Sequence, residues 1–293
     1  MPKLESILVG VDFTEGSRAA LDYGLSLARR LGARVSALHV TPRYVTYEPL
    51  PAFPVAPPLD PERQQGLQED LRRFVTSPGS EGAPVEAVVR EGDPADEILA
   101  LAAASGVDLI VVGTQGRRGF ERWILGSVTE RVARKTDRPV LAVPPGAGAA
   151  AFTRVLCALD LSDASAAILE HAGAITRAVG AELVVLYVAS DFHWYDPWPI
   201  AGMDAEAVHG AVAESARERL ARLVERDVPE GVRVDLRVSF GRAHREIERI
   251  AGEGVDLVVL GASASGGVDR FFFGSTAQHV LRAGVCPVLL VRH

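Results

Sequence analysis

The chemistry legible in this sequence sits in a short run of glycines and one carboxylate. Gly113 and Gly116 are followed by Gly126-Ser127 in the spacing Gly113-x2-Gly116-x9-Gly126-Ser127, and Asp12 closes a β-branched run near the amino end. Glycine lacks Cβ, so its backbone reaches φ > 0 and lets a ligand approach closely; successive N–H groups then form a concave anion cradle. A helix opening at Gly126-Ser127 adds orphan N–H groups and a positive dipole end, both of which favour a phosphate. Arg117, Arg118 and Arg122 lie close enough in sequence to add positive charge. The same residues also have a plainer reading. Ser127-Val128-Thr129-Glu130 and Ser275-Thr276-Ala277-Gln278 match capping boxes, in which the serine only caps a helix, and Asp12 suits a turn.

Two familiar phosphate loops are excluded. A P-loop needs Gly-Lys-Ser/Thr, yet the only lysines are Lys3 and Lys135, and neither lies in a glycine loop. No Gly-x-Gly-x-x-Gly follows the first strand-like run, so the dinucleotide fingerprint is missing as well.

An internal duplication positions these residues. Val107-Asp108-Leu109-Ile110-Val111-Val112-Gly113 returns as Val255-Asp256-Leu257-Val258-Val259-Leu260-Gly261, an offset of 148 residues. At that offset Asp12 maps to Asp160, Val40 to Val188, Gly126-Ser127 to Gly274-Ser275, and Pro139 to Pro287, while Gly92 against Gly241 drifts by one. Such a repeat is one domain duplicated. Two domains are therefore expected, 1–145 and 152–293, joined through the Pro/Gly/Ala stretch that begins at Pro144.

Within each half, short apolar runs alternate with longer helical periods, the pattern of a parallel sheet covered by helices. In the first half, strands are expected at Ser6 to Val11, Val35 to Val40, Val85 to Arg90, Asp108 to Val112 and Val140 to Val143. Helices are expected from about Glu15 to Leu31, Arg63 to Val75, from Asp93-Pro94, and from about Ser127 to Lys135. The second half repeats the order: strands at Val155 to Leu159, Leu183 to Val188, Arg233 to Ser239, Leu257 to Leu260 and Val288 to Val291, with helices to Val179, from Ala205 to Glu225 and from Glu246 to Ile250. The expected class is α/β, two tandem doubly wound five-stranded parallel sheets.

Composition narrows the partners. The 293 residues are 48% hydrophobic and 24% charged, as in an ordinary globular protein. A formal charge of −7 argues against nucleic acid and anionic membrane, which require a basic field. No apolar run reaches the ~20 residues of a membrane span, and the amino end lacks a secretion pattern, so a cytosolic chain is expected. Cys157 and Cys286 stand in strand-like contexts and read as buried thiols. The seven histidines show no metal-ligand spacing, so no metal site is expected, and His39 and His279 read as structural.

The glycine pattern, Asp12 at the end of the first strand, and Gly92-Asp93-Pro94-Ala95 opening a helix together resemble the universal stress protein family. The match spans both halves, as in a tandem member. The resemblance implies a 3-2-1-4-5 strand order of the adenine nucleotide alpha hydrolase kind. It also implies binding of ATP, with Mg2+, as a regulatory or structural ligand in a stress response, and no catalytic residues. By the family pattern Asp12, Val11 and Val40 would hold the adenine end, and Gly113, Gly116, Gly126, Ser127 and Val128 the phosphates. Asp160, Val188, Gly261, Gly274 and Ser275 are their counterparts in the second half. The halves would pair within the chain as two subunits do, with a further homodimer and an unidentified protein partner also implied. A slow ATPase or phosphotransfer enzyme, and a nucleotide-free interaction module, are the competing readings.

The halves differ. Ala264 stands at the place of Gly116, and Ser265, Gly266, Gly267 and Asp269 replace the basic region of Arg117 and Arg118. Tighter nucleotide binding is therefore expected in the first half. The segments between Pro42 and Pro61 and between Asp191 and Pro199, the latter with Trp194, Tyr195 and Trp198, are long enough to act as lids.

Overall fold

The duplicated halves form two compact units, Leu4–Ala150 and Ala151–His293. In the computed structural model, the described residues are 4–42, 60–76, 84–116, 125–147, 152–190, 205–262 and 274–292. The expected lid segments fall largely outside them, as do Arg117, Arg118, Arg122 and residues 263–273, Ala264 among them.

The amino-terminal unit runs β1 (Ser6–Val11), α1 (Glu15–Leu31), β2 (Arg34–Thr41), α2 (Pro61–Val75), β3 (Val85–Glu91), α3 (Pro94–Ala104), β4 (Leu109–Gly113), α4 (Ser127–Lys135) and β5 (Val140–Val143). Its strands lie in the order β3-β2-β1-β4-β5, every pair parallel. Parallel strands joined by helical crossovers are covered on both faces, which is why β1 and β4 read as nearly unbroken apolar runs. Ile7, Leu8, Val9, Leu109, Ile110 and Val111 are all fully buried. Sequence also sets the helix ends. Thr14 caps α1 by accepting from the Ser17 N–H, and Gly32 ends it in the left-handed region at φ 68. Asp93 caps α3, with Pro94 at its first position.

The carboxy-terminal unit repeats the plan: β6 (Arg154–Leu159), α5 (Ser165–Val179), β7 (Glu182–Ala189), α6 (Ala205–Asp227), β8 (Arg233–Phe240), α7 (Ala243–Ala251), β9 (Leu257–Gly261), α8 (Ser275–Ala283) and β10 (Val288–Val291). The order is β8-β7-β6-β9-β10, again all parallel. Most element ends fall within a residue or two of the expected ones. The largest shift is α7, which begins three residues before Glu246.

The repeated Val-Asp motif has a structural explanation. Asp108 Oδ2 accepts from the Glu5 and Ser6 N–H groups at 2.9 and 3.0 Å. Asp256 Oδ2 accepts from Thr153 and Arg154 at 2.5 and 3.0 Å. In each unit this carboxylate fastens the start of the central strand to the start of its neighbour, which fixes their register and aligns their far ends.

Candidate functional site

Those far ends carry the candidate site. β1 pairs with β2 on one side and β4 on the other, all parallel, so the order in which successive strands are added reverses between β1 and β4, which leaves a crevice at their carboxyl ends. Asp12, half-buried, is the first residue past β1. Its Oδ1 accepts from the Thr14 N–H at 3.0 Å and from the Thr14 hydroxyl at 2.5 Å, a local turn that delivers Thr14 as the cap of α1. Between them Phe13 sits at φ 62, a conformation that costs a bulky residue about 1–3 kcal/mol. Ring contacts hold it there: Phe13 lies 4.5 Å from His39 and 5.4 Å edge-on from Phe74. His39 is buried, with Nδ1 2.8 Å from the Val11 carbonyl. A carbonyl only accepts, so Nδ1 carries the proton, and the structural reading of His39 holds.

The glycines serve close packing rather than unusual dihedrals. Contrary to the expectation of φ > 0, none of Gly113, Gly116 and Gly126 is in the left-handed region. A Cβ on Gly113 would lie 2.8 Å from the Gly16 carbonyl oxygen, and one on Gly16 would overlap the Gln115 carbonyl oxygen. The first turn of α1 and the end of β4 thus touch backbone to backbone. At Gly116 a Cβ would come 3.2 Å from Asp12 Oδ2, which brings two of the expected ligand residues together. Gly126 donates to the Thr114 carbonyl at 2.7 Å, and the Thr129 hydroxyl donates to the Gly113 carbonyl at 2.6 Å. Together these bonds clamp the two ends of the glycine loop.

The capping-box reading of Ser127 is overturned. The N-cap of α4 is Gly126, with φ −57 and ψ 136 and no side-chain cap. Ser127 is therefore the first helical residue, exposed, with Val128 beside it. Gly274 is likewise the uncapped N-cap of α8, and Ser275 its first residue. In both units, among the described residues, no side chain caps that first turn. Val11 and Val40 lie at the ends of β1 and β2, where Val11 stands in register with His39 and Val40 with Arg90.

In the carboxy-terminal unit, Asp160, Val188, Gly261, Gly274 and Ser275 border one cleft of ≈ 750 Å³. All five residues expected there therefore share one space. Asp160 repeats the Asp12 turn: its Oδ1 accepts from the Ser162 N–H at 3.0 Å and the Ser162 hydroxyl at 2.5 Å, around Leu161 at φ 59. The helix that follows differs, since α5 starts from Ala164 without a side-chain cap.

Thr14, Phe13, Gly16 and Thr129 shape the site but do not stand out in the sequence. A signal for the first two exists, because Thr14 returns as Ser162 and Phe13 as Leu161 at the 148-residue offset. The units also differ between their last two helices. Arg131 of α4 pairs with Asp93 and Asp96 of α3 at 2.7 and 3.0 Å. Burial raises the Asp93 pKa, but hydrogen bonds from Arg131, Asp96 and Ala95 outweigh it and hold the carboxyl below its usual range. His279 occupies the position of Arg131 and is exposed.

Both cysteines are buried thiols. Burial pushes Cys157 up strongly and Cys286 up to about 12. Among the described residues, no group of three or more His, Cys, Asp or Glu side chains is placed to hold a metal ion, and no helix is long and apolar enough to cross a membrane.

A family model described as the universal stress protein family matches the chain twice, at residues 3–144 and 151–292. A universal stress protein of Mycolicibacterium smegmatis is 27% identical over 301 residues, covering 98% of this chain and 96% of its own. Bacillus subtilis universal stress protein YxiE is 34% identical over 143 residues, covering 47% of this chain and 97% of its own length. The crystal structure of a universal stress protein from Archaeoglobus fulgidus shares the fold, with a TM-score of 0.69 at 22% identity over 99% of both chains.

Proposed function

The chain belongs to the universal stress protein family, and from that premise we propose that it binds ATP, with Mg2+, as a regulatory or structural ligand in the cytosol during a stress response. Residues 1–145 carry the intact glycine pattern and 152–293 the altered one. In this reading the ends of β1 and β2, with Val11, Asp12 and Val40, hold the adenine end of the nucleotide. Gly113, Gly116 and the first-turn amides of α4 at Ser127 and Val128 hold the phosphates, with Gly126 as the uncapped entry to that turn. Asp160, Val188, Gly261, Gly274 and Ser275 do the same in the carboxy-terminal cleft.

The observation that carries this reading is the way the glycine loop is built. Gly113 is required by backbone contact and Gly116 lies beside the Asp12 carboxylate, and the following helix opens on a glycine with no side-chain cap. A capping serine at that position would add about a few tenths of a kcal/mol over glycine, and it would fill the place where an anion could sit. Leaving the turn uncapped suits an anion at the helix N-terminus. The role is that of a ligand site rather than a reaction centre. Phosphoryl transfer needs an aligned base and bound metal, whereas Asp12 spends one carboxylate oxygen on Thr14.

Thermal unfolding of the whole chain with and without millimolar ATP and Mg2+ tests the proposal. A ligand at 100 times its Kd adds about 2.7 kcal/mol to the folded state, so a clear rise in Tm is expected, along with adenine nucleotide released when the purified protein is denatured. An unmoved Tm and no released nucleotide would overturn it.

A further inference from the structure

Two imidazoles join the helices that flank the carboxy-terminal cleft. His244, in the first turn of α7, stacks on His279 of α8 with ring centroids 4.5 Å apart and planes 21° apart. The residues beside them are walls of the cleft, Ala243 and Ile247 from α7 and Ser275 and Thr276 from α8. His279 is tied to that wall directly, since its Nδ1 lies 2.7 Å from the Ser275 carbonyl and must donate to it. Nε2 is then the atom that can take up a proton. The amino-terminal unit closes the same seam with the permanent ion pairs of Arg131 to Asp93 and Asp96.

The surroundings of the stack are poor for cations and good for anions. Both helices begin without a side-chain cap, α7 from Arg242 and α8 from Gly274, so their positive dipole ends oppose a charged imidazole. Burial and then His279 lower the His244 pKa. Glu248 pulls it back up, while Arg245 and Arg242 push it further down. The strands beneath add Tyr187 of β7, which lines the cleft with Asp160 and Asp163, and Phe240 at the end of β8, against which His209 of α6 packs. A polyanion at the first turn of α8 changes this balance, because negative charge beside Ser275 favours the protonated form of a ring already bonded to that residue.

We propose that the His244–His279 pair couples ligand binding in the carboxy-terminal cleft to protonation: a phosphate-bearing ligand seated at the start of α8 enters together with about one proton on this pair. This rests on the nucleotide reading of the cleft. Linkage is reciprocal, so acid strengthens binding. One coupled proton makes the affinity rise by at most about tenfold per pH unit, within the window between the pKa of the pair with and without ligand. The amino-terminal site, with Arg131 in place of His279, stays flat over the same range.

The test is calorimetric titration of the full chain with ATP in two buffers of different ionisation enthalpy, near the ordinary histidine pKa of about 6.5. Net proton uptake is expected, with several-fold tighter binding at about pH 6 than at about pH 8. The double variant H244Q/H279Q should lose that part of the uptake, leaving only the protons that ATP itself exchanges. The single variant H279R, at an exposed position, should still fold and bind ATP but without the pH dependence. Binding of ATP with the same proton uptake in the wild type and both variants would overturn the inference and leave the nucleotide reading intact. No binding at any pH would remove that reading, and the inference with it.

Discussion

The Thr129 hydroxyl donates a 2.6 Å hydrogen bond to the Gly113 carbonyl, tying the first turn of α4 to the end of β4. At the 148-residue offset the counterpart of Thr129 is Ala277, so only the amino-terminal unit has a side chain for this tie. Thr129→Val keeps the shape and removes the donor. A part-buried carbonyl that loses its partner costs about 1 kcal/mol. Urea unfolding should show that loss, and the ATP-induced rise in Tm should shrink because the loop is held less firmly. Unchanged stability would mean the bond contributes nothing in solution.

Gly113→Ala and Gly116→Ala should separate packing from ligand binding. The added methyl at 113 meets backbone at 2.8 Å, whereas at 116 it meets the end of the Asp12 side chain at 3.2 Å. Backbone cannot move aside cheaply and a carboxylate can. Gly113→Ala should therefore destabilise the fold by about 1–3 kcal/mol, as overpacking does. Gly116→Ala should change stability by less than about 0.5 kcal/mol and weaken ATP binding severalfold. Equal unfolding losses in both, with ATP binding intact at 116, would contradict the role given to Gly116.

Acid should loosen the seam between α3 and α4. The folded-state pKa of Asp93 lies below its ordinary value of 3.8. Its stabilising contribution is therefore present above that ordinary value and is lost as pH falls through the folded pKa. Asp93→Asn keeps a capping side chain but removes the charge facing Arg131. The variant should be less stable than wild type at neutral pH, with the difference closing as pH falls below the ordinary carboxylate value and through the lowered folded-state pKa. A difference that persists unchanged into acid would assign it to something other than this carboxylate.

Neither cysteine should react while the chain is folded. Burial raises both thiols, and the thiolate is the reactive form. A thiol reagent at about pH 8 should label Cys157 and Cys286 only after denaturant is added. Fast labelling of either one under native conditions would show that its strand opens readily.

Asp108→Ala and Asp256→Ala should act alike. Each removes a carboxylate that accepts from two strand-start amides, and each should cost its own unit about 1–3 kcal/mol. Unfolding followed by domain-specific probes distinguishes the two. A loss in one variant only would break the equivalence of the repeats at this position.

Much of the fold was legible in the sequence because its determinants are local or repeated. Apolar runs such as Ile7-Leu8-Val9 and their copies mark buried parallel strands, and Asp93-Pro94 marks a helix start. The 148-residue offset shows that whatever one half forms, the other forms as well. The glycine spacing and Asp12 likewise point to one end of one sheet. What the sequence left open depends on distances between residues remote along the chain. Only packing decides that Gly113 is required by Gly16 rather than by its own dihedral angles, that Gly126 rather than Ser127 is the N-cap, and that Gly116 lies beside Asp12. The His244–His279 stack is of the same kind: two unremarkable histidines 35 positions apart meet only because α7 and α8 pack against each other. Periodicity and composition specify which segments become strands and helices, since those preferences are carried by neighbouring residues. Which side chains share a crevice is settled by the assembled sheet, because its strand order brings the ends of distant segments within hydrogen-bonding reach.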